Sequence, residues 1–507
     1  MATTTASAKD SAAGSNVYDC PICIGGEWRP SAGRRETLLN PATAQPITTV
    51  PYCTAEEVRA AVDAAQAAFD GWRQVPVVER AHLFFRYREL LIQHAEDIAR
   101  ITTLEHGKTL EESRASLGRG IEAVEFATSV PSLLMGDTLG DISRGVDTVT
   151  LRQPIGVCIG IPPFNFPAMV PMWMYPLAIA CGNTFVMKPS ERVPRTVVRL
   201  IELLYEAGLP RGVCNVVHGA KDVVDALLED PRVKAVSFVG SSPVARSIYE
   251  TAGKRGKRVQ AMGGAKNHLV IMPGCDLGAA VKAVLGAAYG CSGQRCLATS
   301  VVVAVGEAAD PLIEELKRVA GQIPVGSGDS PKTAMGPVVN AAAKQRIERY
   351  IQQGEQEGAR LVADGRNAQA HDGTQGFYVG PTIFDHVRPE MRIAREEIFG
   401  PVLCVIRAKD LEEAVGVVNR SEFGNAASIF TASGAEGREF AARTQAGMVG
   451  VNVGVPAPSA FFPFAGWKGS FYGDLHALGR DALQFYTETK VVTSRWPTPS
   501  REHKITF

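Results

Sequence analysis

Between Pro154 and Lys254 the sequence alternates between two hydrophobic periods. Short apolar runs of strand length are each followed by a longer run of helical period: PIGVCIGI then VPMWMYPLAIAC, NTFVMKPS then PRTVVRLIELLYEAG, VCNVVHG then DVVDALLED, AVSFVGS then PVARSIYETAGK. Strands joined by helical crossovers lie parallel, so this pattern predicts an α/β fold built on a doubly wound parallel sheet. A second α/β alternation, from about residue 262 to 460, predicts another sheet of the same kind. The runs VDTVTLRQ near 150 and QFYTETKVVTSRW near 490 read as strands outside both sheets, suited to an arm across a subunit interface.

The remaining segments fit around this frame. TAEEVRAAVDAAQAAFDGW opens with Thr54 and Glu57 at capping-box spacing, so helices are expected over 54–105, with another over 109–128. Residues 20–52 read as short strands with a turn at Gly25-Gly26, and residues 1–16 as a disordered tail. The chain has 507 residues, enough for two or three domains. Formal net charge is zero, which gives no electrostatic case for nucleic acid or an anionic membrane. No long apolar stretch predicts a membrane span, and the first residues lack the apolar core of a secretory signal. Ten scattered cysteines then point to reduced thiols in the cytoplasm. Cys20 and Cys23 form a CPIC pair, but no second pair stands at metal spacing, so no metal site is expected.

Four segments carry chemistry. In GCSGQRCLATS, Cys296 sits beside Arg295 in a loop between a helical stretch and a strand, a setting that favours a reactive thiolate. In IPPFNFP, Asn165 follows a strand and can donate to an oxyanion. In MKPSE, Lys188 and Glu191 lie past the next strand, where they suit ribose hydroxyls, and the carboxylate disfavours a 2′-phosphate. In FVGSSPVARSIYETAG, Gly240 and Ser241 join a strand to a helix whose N-terminal N–H groups suit a pyrophosphate. Taken singly, each segment also reads as an ordinary turn, helix start or core cysteine.

In this order the four segments resemble the aldehyde dehydrogenase superfamily, and so do EEIFGPVL and the closing FFPFAGWKGSFYGD. The resemblance spans roughly residues 20–500. It implies an NAD-binding domain over 17–133 and 152–261, a catalytic domain over 262–465, and a small β oligomerisation arm over 134–151 and 480–500, assembled as a homotetramer or dimer. It implies Cys296 as nucleophile, Asn165 as oxyanion donor, and Phe164, Glu397 and Phe399 beside Lys188, Glu191, Gly240 and Ser241 as NAD contacts.

One departure is informative. Hydrolytic members carry a glutamate in an ELGGK-type turn to activate water. Here the text is VQAMGGAKNHLV, which puts Met262 in that place when matched on Lys266, or Ala261 when matched on the glycines. Neither accepts a proton. Positioned general-base catalysis is worth about 10²–10⁴-fold. A thiol ionises near 8.5 and needs that help far less than water, so coenzyme A is the expected acyl acceptor. The stretches PFNFPAMVPMWMYPLAIACGNTFVMKPSERVP, GRGIEAVEF, GAKNH and YGCSGQRCLA resemble a CoA-acylating branch that oxidises methylmalonate and malonate semialdehyde. That branch implies Arg119 and Arg295 as binders of the substrate carboxylate. Two other readings stay open: a hydrolytic enzyme with a different base, and a catalytically silent binding paralogue.

Overall fold

In the computed structural model, which describes residues 17–496, alternation becomes two sheets. The tail expected over 1–16, and 497–500 of the expected arm, lie outside these residues. The first sheet has eight strands in the order Phe471–Gly473, Arg258–Met262, Val233–Val239, Val157–Ile161, Thr184–Met187, Cys214–Val216, Ile22–Ile24, Glu27–Arg29. Its five central strands are parallel and the outer pairings antiparallel. The strand Val157–Ile161 has its successor Thr184–Met187 on one side and Val233–Val239 on the other, so the order reverses there. The crevice outside the carboxyl ends at such a point is where dinucleotides bind. The Ile22–Ile24/Glu27–Arg29 hairpin closes through Gly25 and Gly26, both at positive φ (63° and 78°), as a two-residue hairpin turn requires.

The second sheet has seven strands: Arg360–Ala363, Thr382–Asp385, Val402–Ala408, Thr299–Val305, Asn267–Ile271, Ala426–Phe430, Met448–Val451. All pairings are parallel except that of the outermost strand, Arg360–Ala363. Its central strands are buried Val, Ile and Leu on both faces, as a helix-covered parallel sheet demands. The two strands expected outside these sheets pair with each other: Val146–Pro154 runs antiparallel to Thr487–Arg495, with Thr138–Ser143 completing a three-stranded sheet.

Thr54 caps Ala55–Gln74 and Thr109 caps Leu110–Thr128, each in a full capping box with the glutamate three residues on. The helix Leu110–Thr128 lies on Met169–Ala180 at Gly120, where a Cβ would meet the Met172 methyl at 2.1 Å. Gly118 faces open space, so only one of the two glycines flanking Arg119 serves close packing. Among the described residues no helix is long and apolar enough to cross a membrane. Nor does any group of three or more His, Cys, Asp or Glu form a cluster that could hold a metal ion.

Candidate active site

The site lies where the carboxyl ends of the first sheet meet the amino ends of the second. Asn165 follows the strand Val157–Ile161, Lys188 follows Thr184–Met187, and Gly240 follows Val233–Val239. From the other side, Cys296 precedes the strand Thr299–Val305, Asn267 begins its neighbour, and Asn425 precedes the next. The Cys296 carbonyl accepts from the Asn267 side chain at 2.9 Å and from the Asn425 side chain at 3.0 Å. Asn267 also donates to the Ala298 carbonyl and accepts from the Ala426 N–H. The backbone of Cys296 is thus fixed from two adjacent strands.

The Asn165 amide donates to the Gln294 carbonyl at 2.9 Å, which brings the expected oxyanion donor to the nucleophile loop. Behind it, the fully buried Lys108 donates to the Asn165 carbonyl at 2.5 Å and lies over the Phe166 ring at 4.0 Å. Sequence reasoning passed over Lys108, Asn267 and Asn425. For Asn267 and Asn425 the only signal was polarity within apolar surroundings, in KNHLVI and GNAASIF; Lys108, in the polar run EHGKTLEES, carried none.

On the cofactor side, Lys188 is buried and bonds Glu191 at 3.2 Å. Burial pushes the Glu191 carboxyl up, but the Lys188 ammonium and local hydrogen bonds outweigh it and hold the group below its ordinary range. Burial pulls Lys188 down, against the opposing pull of Glu191. Ser241 caps the helix Ser242–Gly253 without a side-chain hydrogen bond, leaving its first N–H groups available to a phosphate. Gly240 has no room for a Cβ, which would meet the Phe238 ring at 2.4 Å. Phe164 packs edge-on against Phe399 at 5.7 Å and stacks on His106 at 6.0 Å. The Glu397 carboxylate accepts from the Ala265 N–H at 2.9 Å. Burial raises it to about 7, against the Ala265 hydrogen bond and the Lys266 ammonium.

The thiol departs from expectation. Burial, then the nearby Glu397 carboxylate, push Cys296 up to about 12, and Arg295 opposes them only weakly. The Arg295 guanidinium turns instead to the Gly286 carbonyl and the Glu112 carboxylate, both at 3.3 Å. Burial thus outweighs the adjacent arginine, and the setting disfavours the thiolate that adjacency in the sequence suggests. Arg119 donates to Glu122 at 2.7 Å and to the Pro458 carbonyl.

Strand geometry separates the two candidates for the place of the missing base. Ala261 and Met262 are successive residues of Arg258–Met262 and face opposite sides. Ala261 joins the apolar cluster of Ile159, Val236 and Ile248. Met262 joins the cluster of Leu297 and Met174, against which Cys296 and Phe471 pack. Whichever of the two takes the place, the strand end carries no proton acceptor.

A cysteine loop set against the carboxyl-end crevice of a dinucleotide-type sheet fits an oxidoreductase. The chain belongs to the aldehyde dehydrogenase family, whose model matches residues 28–492. Malonate-semialdehyde dehydrogenase 2 of Geobacillus thermodenitrificans (strain NG80-2) is 55% identical over 473 residues, 93% of this chain and 98% of the relative. Malonate-semialdehyde dehydrogenase of Halalkalibacterium halodurans is 52% identical, over 93% of this chain and 97% of its own length. Among solved structures, methylmalonate-semialdehyde dehydrogenase from Oceanimonas doudoroffii superposes with a TM-score of 0.94 at 47% identity, covering 95% of this chain and 99% of that one. A Sinorhizobium meliloti 1021 structure complexed with NAD gives 0.94 at 44% identity, covering 96% and 99%.

Proposed function

We propose that this protein oxidises methylmalonate and malonate semialdehyde with NAD and passes the acyl group to coenzyme A, with loss of CO₂. The observation that carries this reading is the end of the strand Arg258–Met262, where neither Ala261 nor Met262 offers a proton acceptor. The names of the relatives, and the NAD complex of one structural neighbour, support the substrate class and the cofactor.

In this reading Cys296 attacks the aldehyde carbon. The Asn165 amide and the Cys296 N–H donate to the oxyanion of the hemithioacetal. NAD, when bound, would supply the hydride acceptor. Lys188 and Glu191 would hold its ribose, Gly240 and Ser241 its pyrophosphate, and Glu397, Phe164 and Phe399 its nicotinamide end. The β-carboxylate of the acyl group leaves as CO₂, the acyl α-carbon takes up a proton, and the CoA thiol displaces Cys296. Propionyl-CoA or acetyl-CoA results. Arg119 and Arg295 bind the substrate carboxylate. Each is engaged with an acid, Glu122 and Glu112 respectively, so the substrate exchanges for or shares an existing partner. The buried Arg295 Nε has no partner and is a donor free for that purpose.

The proposed domains are 17–133 with 152–261 for NAD, 262–465 for catalysis, and 134–151 with 480–500 for the arm, although the arm strand runs on to Pro154 and 480–485 belongs to the helix Gly479–Phe485. Exposed Leu139, Ile142, Leu151 and Val491 on the three-stranded sheet favour assembly through that arm, as a homotetramer or dimer. All ten cysteines are free, which fits a cytoplasmic protein.

The test is NADH formation from both semialdehydes with and without CoA, with the acyl product identified by mass. Steady turnover that requires CoA and gives acetyl- or propionyl-CoA supports the reading. Full turnover without CoA, releasing free acid, overturns it in favour of a hydrolytic enzyme.

A further inference from the structure

The turn that leads to Cys296 is held in a conformation its residues disfavour. Cys291 and Ser292 are consecutive non-glycine residues at φ +51° and +54°. Such geometry persists only where the surroundings over-determine it. The Ser292 hydroxyl donates to the Gly336 carbonyl at 2.6 Å. Gly293 follows at φ +70°, where a Cβ would lie 2.2 Å from the Gly400 oxygen. The Val339 N–H donates to the Gln294 side chain at 3.1 Å. The Cys291 N–H donates to Glu112 Oε1 at 2.6 Å.

Glu112 does more than receive that N–H. Its Oε2 accepts from the Thr109 N–H at 3.0 Å, closing the capping box of Leu110–Thr128, and its Oε1 accepts from Arg295 Nη2 at 3.3 Å. One carboxylate therefore joins the helix that carries Arg119, the strained turn and the arginine beside the nucleophile. The arginine's direction is fixed on its other side by Gly290, where a Cβ would lie 2.4 Å from the guanidinium.

We propose that Glu112 is a positioning residue for the nucleophile: it locks the turn that delivers Cys296 and draws the Arg295 charge away from the thiol. This rests on reading Cys296 as the nucleophile. The charged and titratable groups involved are few. Glu397 and Arg295 act on the Cys296 thiol, Cys291 and Glu112 act on Arg295, and Lys108 sits by Cys291, Glu112 and Arg295. Glu112 is thus the anion that offsets two cations, and removing its charge leaves the surroundings of the thiol more positive.

The experiment uses Glu112→Gln and Glu112→Ala in the full chain. Alkylation of Cys296 by iodoacetamide is followed against pH by the mass of its peptide, alongside steady-state kinetics. The glutamine keeps an acceptor oxygen but loses the charge. Its alkylation profile should move to lower pH by roughly half a unit or more, raising the rate below the midpoint about threefold. A merely structural role would leave alkylation at a given pH unchanged or slower, and that result would overturn the proposal. The alanine frees the turn, and kcat should fall about ten- to hundredfold with KM for NAD little changed; a kcat within about twofold of the parent, small against that expectation, would also overturn it. Should the alanine variant not fold, the glutamine profile decides alone. Cys296→Ala separates the two readings: if it still forms NADH, the nucleophile assignment fails, whereas an unmoved profile in an enzyme that needs Cys296 removes only the role of Glu112.

Discussion

Met262→Glu places a carboxylate at the buried end of Arg258–Met262, where the sequence matched on Lys266 puts the missing base. The two side chains are of similar length, so the carboxyl enters the apolar cluster against which Cys296 packs. Met262 is 3% exposed, and a carboxyl there loses its hydration. Glu397 shows the result nearby, raised by burial to about 7. The new group should titrate in the same range and be about half ionised at neutral pH. General-base help of about 10²–10⁴-fold, halved by that ionisation, predicts hydrolysis raised roughly 50- to 5,000-fold at neutral pH. The rate should climb through about 7 and level off above it. Stability should fall by roughly 1–3 kcal/mol, the cost of a polar group in an apolar cluster. A carboxyl whose folded pKa lies above its unfolded value stabilises most below the unfolded pKa and loses that contribution as pH rises through the folded one. The variant is therefore least stable where it is most active. The assay is NADH formation without CoA: the parent stops near one equivalent per site, and the variant continues, releasing free acid. A folded variant that gives the same burst and no turnover even at about pH 8, above its expected titration, would refute the placement of Met262 at the base position.

Three other outcomes are expected. Arg119→Leu should raise KM for carboxylated aldehydes well beyond its effect on propanal; equal effects would mean that the Glu122 and Pro458 contacts are purely structural. Asn165→Ala should lower kcat by about 10²–10³-fold, measured as NADH release with saturating semialdehyde. Glu105 is buried and raised to about 7, although the Thr196 N–H and hydroxyl and the Arg195 N–H all donate to it. Its folded pKa is above the unfolded value, so its contribution is complete below about 4.5 and lost by about 7. Glu105→Gln should therefore show a smaller fall in Tm across that window, read by thermal melts.

What the sequence made legible was local. The change of period between PIGVCIGI and VPMWMYPLAIAC marks strand and helix, and Asn165, Lys188 and Gly240 stand at strand ends that can be read directly. What stayed hidden depends on distant residues. The Asn425 clamp on the Cys296 carbonyl spans 129 positions, and the pull of Glu112 on Arg295 spans 183. Adjacency in GQRC suggested an activated thiolate, whereas burial in the folded chain works against one. The choice between Ala261 and Met262 was equally closed to spacing, since the two face opposite sides of the strand Arg258–Met262.

The three-stranded sheet sets a timetable for synthesis. Arg152 and its partner Thr487 lie 335 residues apart. At translation rates of 5–20 residues per second, Val146–Pro154 leaves the ribosome roughly 20–70 s before Thr487–Arg495 exists to pair with it. Val146–Pro154 is the middle strand, so through that interval one of its edges stays open, with Leu151 beside it. An open apolar edge is a template for the wrong partner. The nascent chain thus carries this open edge while every strand of the second large sheet is being made, and loses it only when nearly its last described residues are added.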